Sequence, residues 1–401
     1  MNIKIPAAVA IAALVSLTGL QRVLAANSDI VIGDIDDLSG LYADIQGPGG
    51  VEAMRMAIAD SGGTVLGRNV QVLVADHQNK PDIGASKLRE WADQKGLNFL
   101  IAGSNTAVAI AMAKIAAEKK VVYVVVGAVG ASLTNEDCTP YSVHYSFDTT
   151  ALANGTAAAM IESGGKTWFY LTADYSFGTQ LQNAASKVVA AKGGKNVGAV
   201  RVPISTADFS SFLLQAQASG AQVLALANAG HDLTNSLKAA NEFGVTRTMK
   251  PVALDAYITD IHSLGLQTAQ GLFLTTSWYW DLNDDTRAFA RRYFDKMKKE
   301  PTENQAAYYS ATLTYLRAVK AVGTTDSDKV MAELKQAKIN DIFVEGGYIR
   351  ADGVMIHPMY VMQAKSPQES KYPWDYFKVL KTLNGEEAFG PMTGLCSLTK
   401  K

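Results

Sequence analysis

Histidine and cysteine are both scarce in this chain of 401 residues, which contains five histidines and two cysteines. No two histidines have the spacing of a zinc site, and no nucleophile elbow is present. Gly165-Lys166-Thr167 imitates a phosphate loop, but Met160 stands where the earlier glycine belongs, and Gly47–Gly50 lacks the dinucleotide-binding spacing. These absences argue against a metal-dependent, hydrolytic or nucleotide-using enzyme. We expect no catalytic residue, no metal ion and no cofactor.

An excess of charge of one sign is also missing. The chain has 37 basic and 38 acidic residues, so we expect no nucleic acid as a partner. The apolar run Ala7–Leu20 is too short to span a bilayer. Lys4 precedes it and Val23-Leu24-Ala25 follows with the small residues of a cleavage site, which predicts a signal peptide over residues 1–25.

The cysteine pair has two interpretations. In an exported protein, two cysteines most simply form one disulfide, so we expect a bond between Cys138 and Cys396. The alternative is a pair of free, buried thiols.

Strands and helices alternate along most of the chain, which predicts an α/β fold with parallel sheets. The pattern restarts after Cys138 and changes after Gly271, so two α/β layers of similar build are expected, followed by a different C-terminal order. That order comprises two long helices and three antiparallel strands, over Asp285–Lys299, Asn304–Val322, Ile342–Val344, Tyr348–Arg350 and Met359–Gln363.

One stretch combines a buried strand with an exposed helix start. Leu97–Ala102 is predicted as a strand, Gly103–Thr106 as a polar loop and Ala107–Lys119 as a helix. A helix N-terminus at the carboxyl end of a parallel strand favours an anionic ligand group. Ser104, Asn105 and Thr106 are therefore candidate ligand contacts, and the alternative is that they only cap the helix.

Three acidic residues follow the first predicted strand. Asp34, Asp36 and Asp37 have the chemistry of a metal site, but no histidine or cysteine lies near them in the sequence. The favoured interpretation is a solvated turn.

Four motifs together resemble one protein family. They are LSG at Leu38–Gly40, ALANGT at Ala151–Thr156, TADYSFG at Thr172–Gly178 and SWYWDLNDDTRAF at Ser277–Phe289. With the exported start and the two α/β layers, they resemble the solute-binding proteins of ABC importers. More narrowly, the chain is similar to the leucine/isoleucine/valine-binding type, in a branch associated with aromatic and other organic acids.

The resemblance implies a type I periplasmic binding protein: an α/β fold of two doubly wound, Rossmann-like lobes joined by three hinge crossovers. Lobe 1 would comprise residues 28–145 and 276–338, and lobe 2 residues 146–275 and 339–385, with a C-terminal tail at 386–401. Members of that family close their lobes over a ligand in the cleft.

The resemblance also implies a set of ligand-binding residues. They are Tyr42, Gln46, Ser104, Asn105, Thr106, Gly127, Ala128, Val129, Tyr175, Asn228, Asp255 and Trp278. Val129 stands where amino-acid binders usually carry a hydroxyl residue, which favours an aromatic or hydrophobic acid over a branched-chain amino acid. Asp255 matches the acidic residue that pairs with a ligand ammonium, and its alternative is a cap or turn residue. Trp278 is equally consistent with hinge packing, and Phe177 is expected in the core.

The function implied is a periplasmic, monomeric binding protein that captures a small organic acid or amino acid and delivers it to an ABC permease complex in the inner membrane. The alternative is a periplasmic ligand-sensing receptor component of the same fold.

Overall fold

The computed structural model describes residues 29–400, so the predicted signal peptide lies outside the described residues. Its first part forms a six-stranded sheet in the order β2-β3-β1-β4-β5-β6, in which all neighbours except β2 and β3 run parallel. The strands are β1 Ile30–Asp36, β2 Thr64–Val65, β3 Arg68–Asp76, β4 Leu97–Ala102, β5 Val122–Val125 and β6 Ser142–His144. The helices between them are α1 Gly47–Asp60, α2 Pro81–Gln94 and α3 Thr106–Lys119, with a 3-10 turn at Ala131–Thr134.

The middle of the chain forms a second parallel sheet, of four strands, in the order β10-β9-β7-β8. Its strands are β7 Thr167–Ala173, β8 Lys195–Val202, β9 Val223–Ala227 and β10 Lys250–Ala253. Its helices are α4 Thr149–Leu152, α5 Ala158–Glu162, α6 Ser176–Ala191, α7 Ser210–Ala218, α8 Gly230–Glu242, α9 Ile258–Leu264 and α10 Leu266–Ala269. A π-helical turn at Ala153–Ala157 joins α4 to α5, and Val245–Arg247 is a 3-10 turn.

The C-terminal part returns to both sheets. An antiparallel sheet, β11-β14-β15, contains β11 Phe273–Thr276, β14 Met359–Ala364 and β15 Phe377–Leu383. The remaining elements are α11 Asp284–Met297, α12 Glu303–Val322, α13 Ser327–Gln336, the hairpin β12 Tyr348–Ile349 with β13 Met355–Ile356, α14 Gly385–Phe389 and a 3-10 turn at Ser397–Thr399. Beside the hairpin, Val354 forms a parallel bridge with His144 at the edge of the first sheet.

Both parallel sheets are covered on both faces. On the first sheet, Val51 and Met54 of α1 and Tyr308 of α12 belong to one buried cluster, and Trp91 of α2 and Met112 of α3 belong to another. The second sheet likewise lies between two buried clusters. Burial on both faces explains why the parallel strands read as continuous apolar runs. The predicted doubly wound α/β architecture is therefore confirmed.

The predicted strand Ile342–Val344 is wrong. The backbone there is irregular, because Asp341 accepts a hydrogen bond from Phe343 N at 2.9 Å through Oδ1 and donates its own N–H to Val344 O at 3.0 Å. A short polar side chain that bonds its neighbouring backbone competes with strand pairing.

The predicted disulfide is present between Cys138 and Cys396, whose Cα atoms lie 5.6 Å apart. It attaches the C-terminal tail to the segment before β6. Within residues 29–400, no helix combines the length and the apolar character that crossing a membrane requires.

Candidate functional site

Loops at the carboxyl ends of both parallel sheets enclose one small cavity. The first sheet contributes Tyr42, Ile45, Gln46, Ser104, Thr106 and Gly127, and the second contributes Tyr175, Phe177, Ala229, Asp255 and Tyr257. The free volume of the cavity is about 10 Å³, which is room for about one water molecule. This is the position at which open α/β sheets bind ligands. Any larger molecule requires the two walls to separate.

Two tyrosines close the cavity from opposite sides. Tyr42 lies in the turn after β1 and Tyr175 in the turn after β7, and their hydroxyl oxygens are 2.7 Å apart. Burial raises the pKa of both phenols above the ordinary value, so both keep their protons at neutral pH. Further along the same interface, Ser132 N donates to Gln180 Oε1 at 3.0 Å and Gln180 Nε2 donates to Ser132 Oγ at 3.1 Å. The structure is therefore a closed one, with the two halves hydrogen-bonded to each other.

The residues of the predicted anion site at the start of α3 have different roles. Asn105 is the helix cap, since its Oδ1 accepts from Ala107 N at 2.9 Å and from Val108 N at 3.3 Å. Thr106 Oγ1 accepts from Gly130 N at 3.3 Å, which leaves its hydroxyl proton available. The N–H of Thr106 has no acceptor within residues 29–400. The cap interpretation thus holds for Asn105, while Thr106 presents donors at the cavity.

Ser104 also lines the cavity, but its backbone is occupied. Its N–H donates to Asp36 Oδ1 at 3.1 Å, and its hydroxyl oxygen accepts from Asp37 N at 3.1 Å. Only the hydroxyl proton of Ser104 is left for a ligand, so the donor set is smaller than the sequence predicted.

The interpretation of the three aspartates after β1 as a solvated turn is wrong. Asp34, Asp36 and Asp37 are fully buried. Asp36 accepts from Gln46 Nε2 at 2.6 Å, from Ser104 N and from the hydroxyl of Tyr308. Burial and the nearby charge of Asp36 raise the pKa of Asp34 well above its ordinary value, so Asp34 holds a proton. No cluster of His, Cys, Asp and Glu side chains suited to a metal ion occurs in the part of the chain that the structure describes.

Gln46 lies at the cavity wall with both ends of its amide bonded to protein. Besides Asp36, its Nε2 donates to Val126 O at 3.0 Å, and its Oε1 accepts from Asn304 Nδ2 at 3.2 Å. Gly127 is held against it with a φ of +92°, and a Cβ at this glycine would lie 1.7 Å from Gln46 Oε1. Gln46 therefore links the first sheet to α12 and holds this wall of the cavity in place.

Asp255 supplies the opposite wall of the cavity. It follows β10, is 3 % exposed, and its Oδ1 has no hydrogen-bond partner among the described residues. Burial raises the pKa of Asp255 to about 7, against a hydrogen bond with Tyr257 that lowers it. No lysine, arginine or histidine from residues 29–400 lines the cavity. A buried acceptor without a partner fits a donor on a ligand, because a buried acceptor that makes no hydrogen bond costs free energy.

Four further predicted residues do not line the cavity: Ala128, Val129, Asn228 and Trp278. Ala128 and Val129 are each 1 % exposed and lie behind its wall. Asn228 turns away, donating its Nδ2 to Asp232 O at 3.2 Å and to Ser236 Oγ at 3.1 Å.

Trp278 lies in the segment between β11 and α11 and packs among buried side chains. Its Nε1 donates to Ile342 O at 2.8 Å, and its ring meets Phe289 edge to face at 6.0 Å. Trp278 therefore belongs to a buried hydrophobic cluster and is not among the residues that line the cavity.

The sequence analysis missed Ile45 and Tyr257, and of the turn Asn228-Ala229 it is Ala229 that lines the cavity. Phe177, expected in the core, belongs to a buried hydrophobic cluster and also lines the cavity. Tyr257 lies two residues after the predicted Asp255, in the short segment between β10 and α9, so its sequence position alone made it a candidate. Ala229 adjoins the predicted Asn228 in one turn.

Comparison with known proteins agrees with this geometry. The family described as periplasmic binding protein matches residues 29–370. A periplasmic binding protein from Burkholderia mallei is 58 % identical, with a TM-score of 0.91 over 93 % of this chain and 99 % of that one. A branched-chain amino acid ABC transporter periplasmic ligand-binding protein from Burkholderia xenovorans is 38 % identical, with a TM-score of 0.83 over 93 % of this chain and all of that one (100 %). A Leu/Ile/Val-binding protein homologue from Brucella melitensis is 25 % identical, over 78 % of this chain and 81 % of its own.

Proposed function

Since the chain belongs to the periplasmic binding protein family, whose members are solute-binding proteins and not enzymes, we propose that it captures a small carboxylate-bearing solute between its two lobes and delivers it to an ABC permease in the inner membrane. The lobes are those expected above, residues 28–145 with 276–338 and residues 146–275 with 339–385. Binding and release occur by opening and closing of the cleft, without covalent chemistry.

One observation carries this proposal: the cavity has hydrogen-bond donors at one end and a single unpartnered acceptor at the other. The hydroxyls of Ser104 and Thr106, with the N–H of Thr106, face an anionic group. Asp255 faces a donor. The ligand therefore carries a carboxylate and, at its far end, an ammonium or a hydroxyl group.

The walls between these ends suit an apolar or aromatic body. Tyr42, Tyr175, Phe177 and Tyr257 surround the space, and stacked aromatic contacts contribute about 0.5–1.5 kcal/mol each beyond their buried area. Both an amino acid and a hydroxylated aromatic acid meet this description. The resemblance to a branched-chain amino acid ligand-binding protein of Burkholderia xenovorans and to a Leu/Ile/Val-binding protein homologue of Brucella melitensis supports an amino acid. The tyrosines that line the cavity support an aromatic acid.

Calorimetry tests the ligand class. The protein is unfolded, dialysed and refolded to remove bound solute, then titrated with L-leucine, L-phenylalanine, benzoate and 4-hydroxybenzoate. We expect at least one of these carboxylates to bind, and the matching primary amide, which lacks the negative charge, to bind at least about tenfold more weakly. Equal affinity for the acid and its amide, or tight binding of a sugar with no response to any acid, contradicts the proposal.

Export and oligomeric state belong to the same proposal. A signal peptide at residues 1–25 would direct the chain to the periplasm and then be removed. The periplasm is an oxidising compartment that suits the Cys138–Cys396 bond. We expect the mature protein to be a monomer. N-terminal sequencing of the periplasmic fraction and light scattering test the two statements.

A further inference from the structure

His77 lies directly beneath the cavity, in a position that no ligand-binding prediction included. It follows the end of β3, is fully buried, and its ring lies behind Ser104, away from the cavity lining. Its Nε2 is 3.1 Å from Ser104 Oγ. Its Nδ1 accepts a hydrogen bond from Asn79 N at 3.0 Å.

The bond from Asn79 fixes the tautomer of this ring. A backbone N–H can only donate, so the lone pair of the neutral imidazole must be at Nδ1 and its proton at Nε2. Burial lowers the pKa of His77 below its ordinary value, although Asp36, Asp37 and Asp76 act against it, and the ring is therefore neutral at neutral pH. His77 Nε2–H then donates to Ser104 Oγ.

The hydroxyl of Ser104 is left with one free direction. Its oxygen accepts from His77 Nε2 and from Asp37 N, which uses both lone pairs. No described residue accepts the remaining proton, and the Ser104 side chain borders the cavity. The only place for that proton is the space that a ligand anion enters.

We propose that His77 is a positioning residue that holds the Ser104 hydroxyl as a donor aimed at the ligand carboxylate before the ligand arrives. The proposal rests on the proposed function, because it assigns Ser104 to the anionic end of the ligand. A donor oriented in advance does not have to be ordered during binding, so less affinity is lost to reorganisation. His77 itself does not touch the ligand.

Two substitutions separate the two nitrogens of the ring. His77→Asn keeps an acceptor near the Nδ1 position for Asn79 and has no atom that reaches Ser104. His77→Gln places an amide N–H near the Nε2 position and keeps the donor to Ser104. We expect His77→Asn to weaken binding of the best acid among L-leucine, L-phenylalanine, benzoate and 4-hydroxybenzoate by about tenfold, as for a disturbed hydrogen bond to a charged group. His77→Gln should recover most of that affinity.

A double-mutant cycle distinguishes positioning from packing. If His77 acts through Ser104, His77→Asn costs little further affinity once Ser104→Ala is present. Equal losses for His77→Asn and His77→Gln, or a loss that persists unchanged in the Ser104→Ala background, would overturn the proposal. Thermal midpoints of all variants are recorded, so that a destabilised fold is recognised.

A measurement without ligand keeps this proposal separate from the proposed function. Long-range proton–nitrogen correlation NMR of the imidazoles reports the tautomer of each of the five histidines, and the His77 signal is the one missing from His77→Gln. A neutral ring with its proton on Nε2 is expected. A proton on Nδ1, or a doubly protonated ring at pH 7, overturns the positioning role even if acids bind. The expected tautomer together with failure of every acid to bind overturns the proposed ligand class instead.

Discussion

Under the proposed function, Asp255 is the residue whose charge state would decide what kind of ligand the cleft accepts. Its pKa is about 7 in the closed cleft because burial disfavours the carboxylate. A ligand ammonium stabilises the ionised form and lowers this pKa in the complex. Affinity for such a ligand is then complete above about pH 7 and falls as the pH is lowered through that value, approaching tenfold per unit.

A carboxylate ligand without an ammonium gives the opposite pH dependence. Its negative charge raises the pKa of Asp255 further, so affinity is complete below about pH 7 and falls as the pH rises. Titrations at pH 5.5, about 7 and 8.5 measure the sign. Asp255→Asn is the matched control, because it removes the titrating group and should abolish the pH dependence in either case. A dependence that survives in Asp255→Asn would assign it to another group.

At this scale the sequence predicted the cavity better than it predicted individual contacts. Ser104 and Thr106 were predicted from the carboxyl end of a buried strand, Tyr42, Tyr175 and Asp255 were implied by the family resemblance, and all five line the cavity. Which way a turn residue faces depends on local hydrogen bonds that the sequence does not display. Asn105 and Asn228 satisfy neighbouring backbone groups and so do not line the cavity.

The buried aspartates illustrate the same limit. Three acidic residues close together normally indicate a solvent-exposed segment. Here they are buried, and their donors come both from nearby backbone, such as Gly40 N and Tyr42 N, and from partners distant in sequence. Tyr308 lies 272 residues from Asp36, and such a partner is invisible to local pattern analysis.

Among the elements, the C-terminal tail depends most on one covalent bond. The disulfide joins residues separated by 258 positions, and in the chain-entropy account a loop of this length stabilises the fold by about 5.5 kcal/mol. We expect Cys138→Ala with Cys396→Ala to lower the free energy of unfolding in urea by up to that amount. Reduction of the wild-type protein should give the same loss. If reduction leaves the urea midpoint unchanged, the bond contributes nothing to the stability of the fold.

Element types were predictable where burial imposes a period. The strand Leu97–Ala102 was predicted with the bounds that the structure shows, and the helix after it begins one residue earlier than expected, at Thr106. The apolar run Ile342–Val344 was predicted as a strand from its sequence pattern, but a short apolar run does not by itself determine conformation. The turn formed by Asp341 decides the backbone there.

For the whole molecule, the proposed function makes closure of the cleft the functional event, and helix α6 contains a matched pair of glutamines that tests this proposal. Gln180 makes two hydrogen bonds to Ser132 across the interface between the halves. Gln182, two residues along the same helix, accepts from Thr172 Oγ1 at 2.8 Å within its own half. The first pair exists only when the halves meet, whereas the second is indifferent to closure.

Gln180→Ala should therefore destabilise the closed form without weakening either half. With each hydrogen bond contributing about 0.5–1.5 kcal/mol, we expect ligand dissociation to accelerate by about fivefold or more. The free energy of unfolding without ligand should change little.

Gln182→Ala should do the reverse, lowering the free energy of unfolding by about 1 kcal/mol while leaving the dissociation rate unchanged. Stopped-flow dissociation and urea unfolding measure the two quantities, and small-angle scattering reports the fraction of open molecules. If both variants release ligand at the wild-type rate, the Gln180–Ser132 contact does not hold the cleft shut, and closure must be maintained by the ligand and by other contacts between the halves, such as Tyr42 with Tyr175.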